Sequence, residues 1–126
     1  MALLFVLHGG GGAGAGMEAL ALGRLTDFAE DKGFAVVYPD GLRRQWNDGR
    51  RDAPTAAARR GIGDVAFISA LIDAISAETR IDRGRVFAAG LSNGAMMALR
   101  LGCDLADRIA GVAAVAGNLA KDHVPL

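Results

Sequence analysis

The sequence predicts an α/β fold with a central four-stranded, mostly parallel sheet and flanking helices. Three observations carry this reading. Four short runs, Leu3–Leu7, Phe34–Tyr38, Arg85–Ala89 and Ile109–Ala116, are near-continuously apolar rather than alternating, as in strands covered on both faces. Stretches with helical spacing fall between them, the pattern of strand–helix–strand crossovers. A serine flanked by two glycines stands where the third run gives way to a helical one.

The elements follow in order. After the first strand and a glycine run, Met17–Lys32 carries apolar residues at Leu20, Leu22, Leu25, Phe28 and Ala29, and Gly33 is a candidate helix C-cap. The second strand leads into Pro39–Gly61, rich in Gly, Pro, Asp and Asn, which predicts a long polar loop at a carboxyl end of the sheet, where α/β sheets bind ligands. Asp64–Thr79 places Val65, Ile68, Leu71, Ile72 and Ile75 on one face, with Asp64 as candidate N-cap. Asp82-Arg83-Gly84 makes the turn into the third strand. A helical run from Ala95 to Leu101 follows, with Asp104 and Asp107 as candidate caps, and then the fourth strand.

Composition narrows the function classes. At 126 residues the chain makes one domain, 1–126, with a modest core, and neither an internal repeat nor a linker is visible. Fourteen basic residues balance fourteen acidic ones, so no electrostatic argument points to nucleic acid or an anionic membrane. The arginine pairs Arg43-Arg44, Arg50-Arg51 and Arg59-Arg60 interleave with Asp40, Asp48 and Asp52, which reads as a solvated loop. The opening apolar run is too short to span a bilayer and leads into glycines rather than a cleavage site, so no signal peptide is read. The single cysteine, Cys103, excludes an internal disulfide and is read as a small buried hydrophobe near a helix end. No His, Cys or carboxylate cluster has metal-ligand spacing, and no cofactor is expected.

Gly90-Leu91-Ser92-Asn93-Gly94 is a G-x-S-x-G motif between strand and helix, the context in which it marks a nucleophile elbow. Glycines two residues before and after the serine remove the Cβ atoms that would collide at so sharp a turn. Ser92 would then project from the carboxyl end of the sheet near the positive end of the next helix, where a developing oxyanion gains most. Of the three serines only Ser92 has this spacing.

His8-Gly9-Gly10-Gly11-Gly12 follows the first strand and admits two readings. As an H-G-G-G oxyanion loop, the amide of Gly10 or Gly11 would pair with that of Asn93 near Ser92. As a dinucleotide fingerprint, Gly9-x-Gly11-x-x-Gly14 would cradle a pyrophosphate and Asp40 would bind a ribose. The first is favoured because it uses the serine and the glycines together, and because a dense glycine run meets many spacings by chance.

The blocks L-H-G-G-G-G-x-G, V-V-Y-P-D-G with W-N-D-G-R, D-V-A-F-I-S-A-L-I-D and G-L-S-N-G-A-M-M, extended by D-R-I-A-G-V-A-A-V-A-G, resemble the polyhydroxybutyrate depolymerase and feruloyl esterase group of α/β-hydrolases. The likeness runs from Leu7 to Gly117. It implies a partial α/β-hydrolase core and a serine esterase that forms an acyl-enzyme on Ser92, with hydroxyalkanoate oligomers or feruloyl and other aryl esters as substrates. It implies an oxyanion hole from Gly10 or Gly11 with Asn93, and places Trp46, Asn47 and Asp48 near the substrate cleft, where Trp46 reads equally well as a loop anchor. Many members are secreted, so the resemblance suggests an extracellular setting.

Such an enzyme needs a base for the serine proton and an acid to orient it, and in α/β-hydrolases these follow the serine as Asp, then His. Only 34 residues follow Ser92, with one more strand. The chain is therefore read as four central strands of a larger enzyme, truncated on both sides and crippled in hydrolysis. Two histidines could substitute as base. His123 follows the last strand but reads more simply as an exposed terminal residue, and His8 reads more simply as a brace of the glycine loop. The alternative function is a non-catalytic binding or assembly module that self-associates through exposed sheet edges.

Overall fold

A computed structural model describes residues 1–50 and 63–121. The elements are β1 (Leu3–Leu7), α1 (Gly14–Leu20), α2 (Arg24–Lys32), β2 (Ala35–Val37), a 3-10 turn (Leu42–Arg44), α3 (Asp64–Glu78), β3 (Val86–Leu91), α4 (Asn93–Asp104) and β4 (Gly111–Val115). The four strands form one sheet in the order β2-β1-β3-β4, every neighbouring pair parallel. The expected α/β fold with a four-stranded parallel sheet is present.

Register explains where the core lies. Leu3 pairs with Val86, Phe5 with Ala88 and Leu7 with Gly90, so alternate residues of β1 and β3 share one face. That face is fully buried against Ile68 and Ile72 of α3 and Met97, Ala98 and Leu101 of α4, with Trp46 closing one end. The helical period of α3 predicts this packing.

The other face corrects the expectation of strands covered on both sides. Leu4, Phe87, Ala89 and Leu91 are only half-buried, and Ala113 and Val115 of the edge strand β4, which share this face, are exposed. The short helix α1 reaches this face through Met17 and Leu20, which line a hollow with Val6, Leu91 and Val115. Leu20 remains 66% exposed and Val115 60%, because nothing else among the described residues lies over them.

Three local readings also change. Met17–Lys32 is two helices, because α1 ends in a Schellman closure: the Leu22 amide donates to the Ala19 carbonyl (2.9 Å) and the Gly23 amide to that of Glu18 (3.1 Å). Leu22 itself occupies the left-handed position at φ 54°. Gly33 does cap α2, at φ 76°. Asp64 is the first helical residue of α3 rather than its cap, and its carboxylate turns away to another segment. Cys103 is exposed, since its position on α4 faces away from the sheet-side stripe of Met97, Ala98 and Leu101. Asp104, the last residue of α4, accepts a hydrogen bond from Arg100 at 3.1 Å, one helical turn back. The turn into β3 is closed by Asp82, whose carboxylate accepts the Gly84 amide at 2.9 Å. No helix of the described residues is long and apolar enough to cross a membrane.

Candidate active site

Ser92 links β3 to α4 with φ 54° and ψ −115°, a conformation sparsely populated by residues with a side chain. Its main chain is pinned from both directions. The Ser92 amide donates to the Val115 carbonyl of β4 (2.8 Å), and its carbonyl accepts the Met96 amide of α4 (3.0 Å). The side chain is exposed. Both flanking glycines are sterically required: a Cβ on Gly90 would fall on the Gly94 carbonyl, and one on Gly94 on the carbonyls of Leu7 and His8.

The glycine run lies beside this bend because β1 and β3 are neighbours and their pairing ends at Leu7 and Gly90. A Cβ built on Gly9 would stand 3.7 Å from Ser92 Cβ, and one on Gly10 3.7 Å from Asn93 Cβ. The two glycines named for the oxyanion hole separate here. The Gly11 amide is engaged, donating to the Arg44 carbonyl at 2.7 Å, so Gly11 is not available as a donor in this conformation. Gly10 is exposed on the side of Asn93, whose own amide lies in the first turn of α4 without an intrahelical acceptor. A hollow of about 280 Å³ runs beside the glycine loop, walled by Gly9, Gly10, Met17, Leu20 and Leu91. Another, of about 360 Å³, lies at the opposite end of the strands near Ala2, Phe34 and Arg85, far from Ser92.

Trp46 and Asp48 are not cleft residues: both are 0% exposed. Trp46 is the loop anchor. Its indole Nε1–H donates to the His8 carbonyl (2.9 Å), and its ring lies 4.9 Å from the His8 ring. Its main chain is bound by the Asn93 side chain, whose Oδ1 accepts the Trp46 amide (2.8 Å) and whose Nδ2 donates to the Trp46 carbonyl (3.1 Å). Asn93 Nδ2 also donates to Asp48 Oδ2 at 2.7 Å. Arg50 completes the compensation of that buried carboxylate, Nη2 donating to Oδ2 at 2.8 Å and Nε to Oδ1 at 3.0 Å. Asn47 is held through its backbone: its amide donates to Asp64 Oδ2 (2.6 Å) and its carbonyl accepts from Arg100 Nη1 (2.7 Å). The W-N-D block thus ties the polar loop to the N-terminal ends of α3 and α4. Burial pushes the Asp64 carboxyl above its ordinary range, opposed by the Asn47 amide and the Arg100 charge.

His8 is the brace rather than the base. It is 1% exposed, its Nε2 accepts the Gly41 amide at 2.9 Å, and its Nδ1 lies 2.7 Å from the Gly9 carbonyl. The Gly41 donor requires a lone pair on Nε2 and the Gly9 acceptor a proton on Nδ1, so the geometry selects the Nδ1–H tautomer and leaves neither nitrogen for Ser92. His123 lies outside the described residues, as do Asp122, Arg51, Asp52, Arg59 and Arg60. Asp40, the candidate ribose ligand, accepts the Gly14 amide at 2.7 Å and so fastens the start of α1 to the end of β2.

Sequence reasoning missed Gly41, Asp64 and Arg100 as supports of the site. Arg100 carried a signal, since it lies two turns from Asn93 on the same helix and so can reach the loop that Asn93 binds. The others act through main-chain groups or across the fold and had none.

Comparison with known proteins gives the family. A family model described as Esterase PHB depolymerase matches residues 1–123. The chain is 38% identical over 117 residues to "Putative esterase NocK" of Nocardia uniformis subsp. tsuyamanensis, covering 93% of this chain and 33% of that protein. It is 43% identical over 100 residues to "Feruloyl esterase B" of Piromyces equi, covering 76% of this chain and 17% of that protein. The chain therefore spans a third or less of the length of these curated relatives. The family model covers nearly the whole chain, and the chain belongs to the PHB depolymerase family of esterases.

Proposed function

We propose that the chain carries the nucleophile and oxyanion hole of a serine esterase acting on carboxylic esters. One observation carries the reading: Ser92 is exposed in a strained bend, φ 54° and ψ −115°, at the start of α4 and against the glycine loop. Strain of this kind persists only where the surroundings over-determine it, and it holds the hydroxyl clear of the chain. Ser92 Oγ attacks the ester carbonyl, the amides of Gly10 and Asn93 receive the developing oxyanion, the alcohol departs carrying the proton the serine gave up, and water releases the acid from the acyl-enzyme while returning a proton to the Ser92 oxygen. The description of the family and the name of the feruloyl relative support hydroxyalkanoate oligomers and feruloyl or related aryl esters as substrates. The resemblance places the acid and histidine after the serine, in the part of the relatives that this chain does not span. Residues 1–126 by themselves supply the oxyanion hole and binding, which in such enzymes give on the order of 10³-fold over water. The same resemblance supports an extracellular setting.

A fluorophosphonate probe tests the nucleophile. Peptide mapping is expected to find the adduct on Ser92, with Ser69 and Ser76 unmodified, and no adduct on the Ser92→Ala chain. Labelling that is equal in both removes the nucleophile.

A second reading has its own observation. The exposed edge strand β4 with Val115, and the exposed Leu20 beside it on the half-covered side, favour an assembly module that pairs with another chain. Sedimentation over a range of concentrations separates the two: a monomer throughout excludes self-association.

A further inference from the structure

We propose that Trp46 is a positioning residue for the oxyanion hole, setting the spacing between the donor amides of Gly10 and Asn93; this rests on the serine-esterase reading above. The two donors come from segments far apart in sequence, and the sheet holds them together only as far as Leu7 and Gly90, the last paired residues of β1 and β3. Beyond that pair the glycine loop has no ladder to follow. Trp46 spans the gap. Its indole N–H holds the His8 carbonyl (2.9 Å), immediately before the glycines, while its amide and carbonyl are both bound by the Asn93 side chain (2.8 and 3.1 Å). The segment that ends at Trp46 touches the same loop twice more. The Gly41 amide donates to His8 Nε2 (2.9 Å), and the Arg44 carbonyl accepts the Gly11 amide (2.7 Å).

One residue is thus bonded to both halves of the hole, through its indole on one side and its main chain on the other, and it is fully buried, so it has no room to move without moving them. Hydrogen-bond donors stabilise an oxyanion only when already aimed, and displacement by a fraction of an ångström removes much of the effect. The indole N–H is the one bond of this set that a side chain contributes to the glycine loop from the elbow side.

The chain has a single tryptophan, so biosynthetic replacement alters this site alone. Trp46→β-(3-benzothienyl)alanine keeps the ring shape and removes only the N–H. Trp46→4-fluorotryptophan keeps both and serves as the rescue. In the intact chain, phosphonylation of Ser92 is expected to slow roughly tenfold to hundredfold in the first variant and to stay at the wild-type rate in the second. Amide exchange should rise across Gly9–Gly12 in the first variant, while Val86–Leu91 stays protected. An unchanged rate and unchanged exchange in the benzothienyl chain overturn the proposal. So does a benzothienyl chain that fails to fold while the fluoro chain folds, since the bond is then structural only. If wild type itself is not labelled, the esterase reading fails, and exchange across Gly9–Gly12 alone decides whether Trp46 holds the loop.

Discussion

The side-chain amide of Asn93 pairs with the main chain of Trp46 as a neighbouring strand would, accepting its N–H at 2.8 Å and donating to its carbonyl at 3.1 Å. Both residues are buried, so each bond replaces water that cannot reach the groups. Asn93→Ala leaves the Trp46 amide and carbonyl without that partner and takes one donor from the buried Asp48 carboxylate. A loss of about 3 kcal/mol is expected, read from urea denaturation midpoints. A loss below about 1 kcal/mol would mean that water or other groups satisfy these atoms.

Ser92 occupies a backbone region that only glycine adopts without cost. Ser92→Gly is therefore expected to raise stability by about 1 kcal/mol while abolishing phosphonylation. A destabilised glycine variant would show that the bend is not strained.

Leu22 closes α1 at φ 54° and is 75% exposed, so its side chain contributes little packing to offset a left-handed backbone. Leu22→Gly is expected to stabilise the fold by about 0.5–1 kcal/mol, measured by thermal or urea unfolding.

Asp64 has its carboxyl raised chiefly by burial. The folded state then binds its proton more tightly than the unfolded state, so this group's effect on stability becomes less favourable as pH rises from the unfolded value of 3.8 through the higher folded one. Asp64→Asn keeps an acceptor for the Asn47 amide and removes the titration. Its stability relative to wild type should increase with pH across that window and level off above it. A difference that is flat with pH would show that the group titrates alike folded and unfolded.

Asp73 behaves oppositely. Hydrogen bonds from Arg108 (2.6 Å) and Arg83 (2.8 Å) hold its carboxyl below the ordinary range. Its contribution is present above pH 3.8 and is lost as pH falls through the lower folded value. Asp73→Asn should erase that acid limb from a stability–pH profile without altering it near neutrality by more than a small amount, since the group is exposed.

Features controlled by sterics and short-range patterning are legible in the order of residues alone. β1 is found at Leu3–Leu7 as read, the other three strands within two residues at either end, and the serine bend where glycines two residues either side of Ser92 demand it. Neighbours in the chain suffice there, because a missing Cβ or a run of apolar residues acts over a few residues. The break at Leu22 was hidden because a leucine took a place that glycine usually fills. The roles of the polar residues emerge only from long-range contacts. Whether His8 takes a proton or braces a loop depends on Gly41, whether Gly11 is a free donor depends on Arg44, and whether Trp46 meets substrate or the core depends on Asn93. Each of those partners lies more than thirty positions away and, except for the Asn93 amide, is a main-chain group that every residue possesses. Hydrogen bonding by such groups is set by where the chain passes and not by which amino acid it carries, so only the folded structure reveals it.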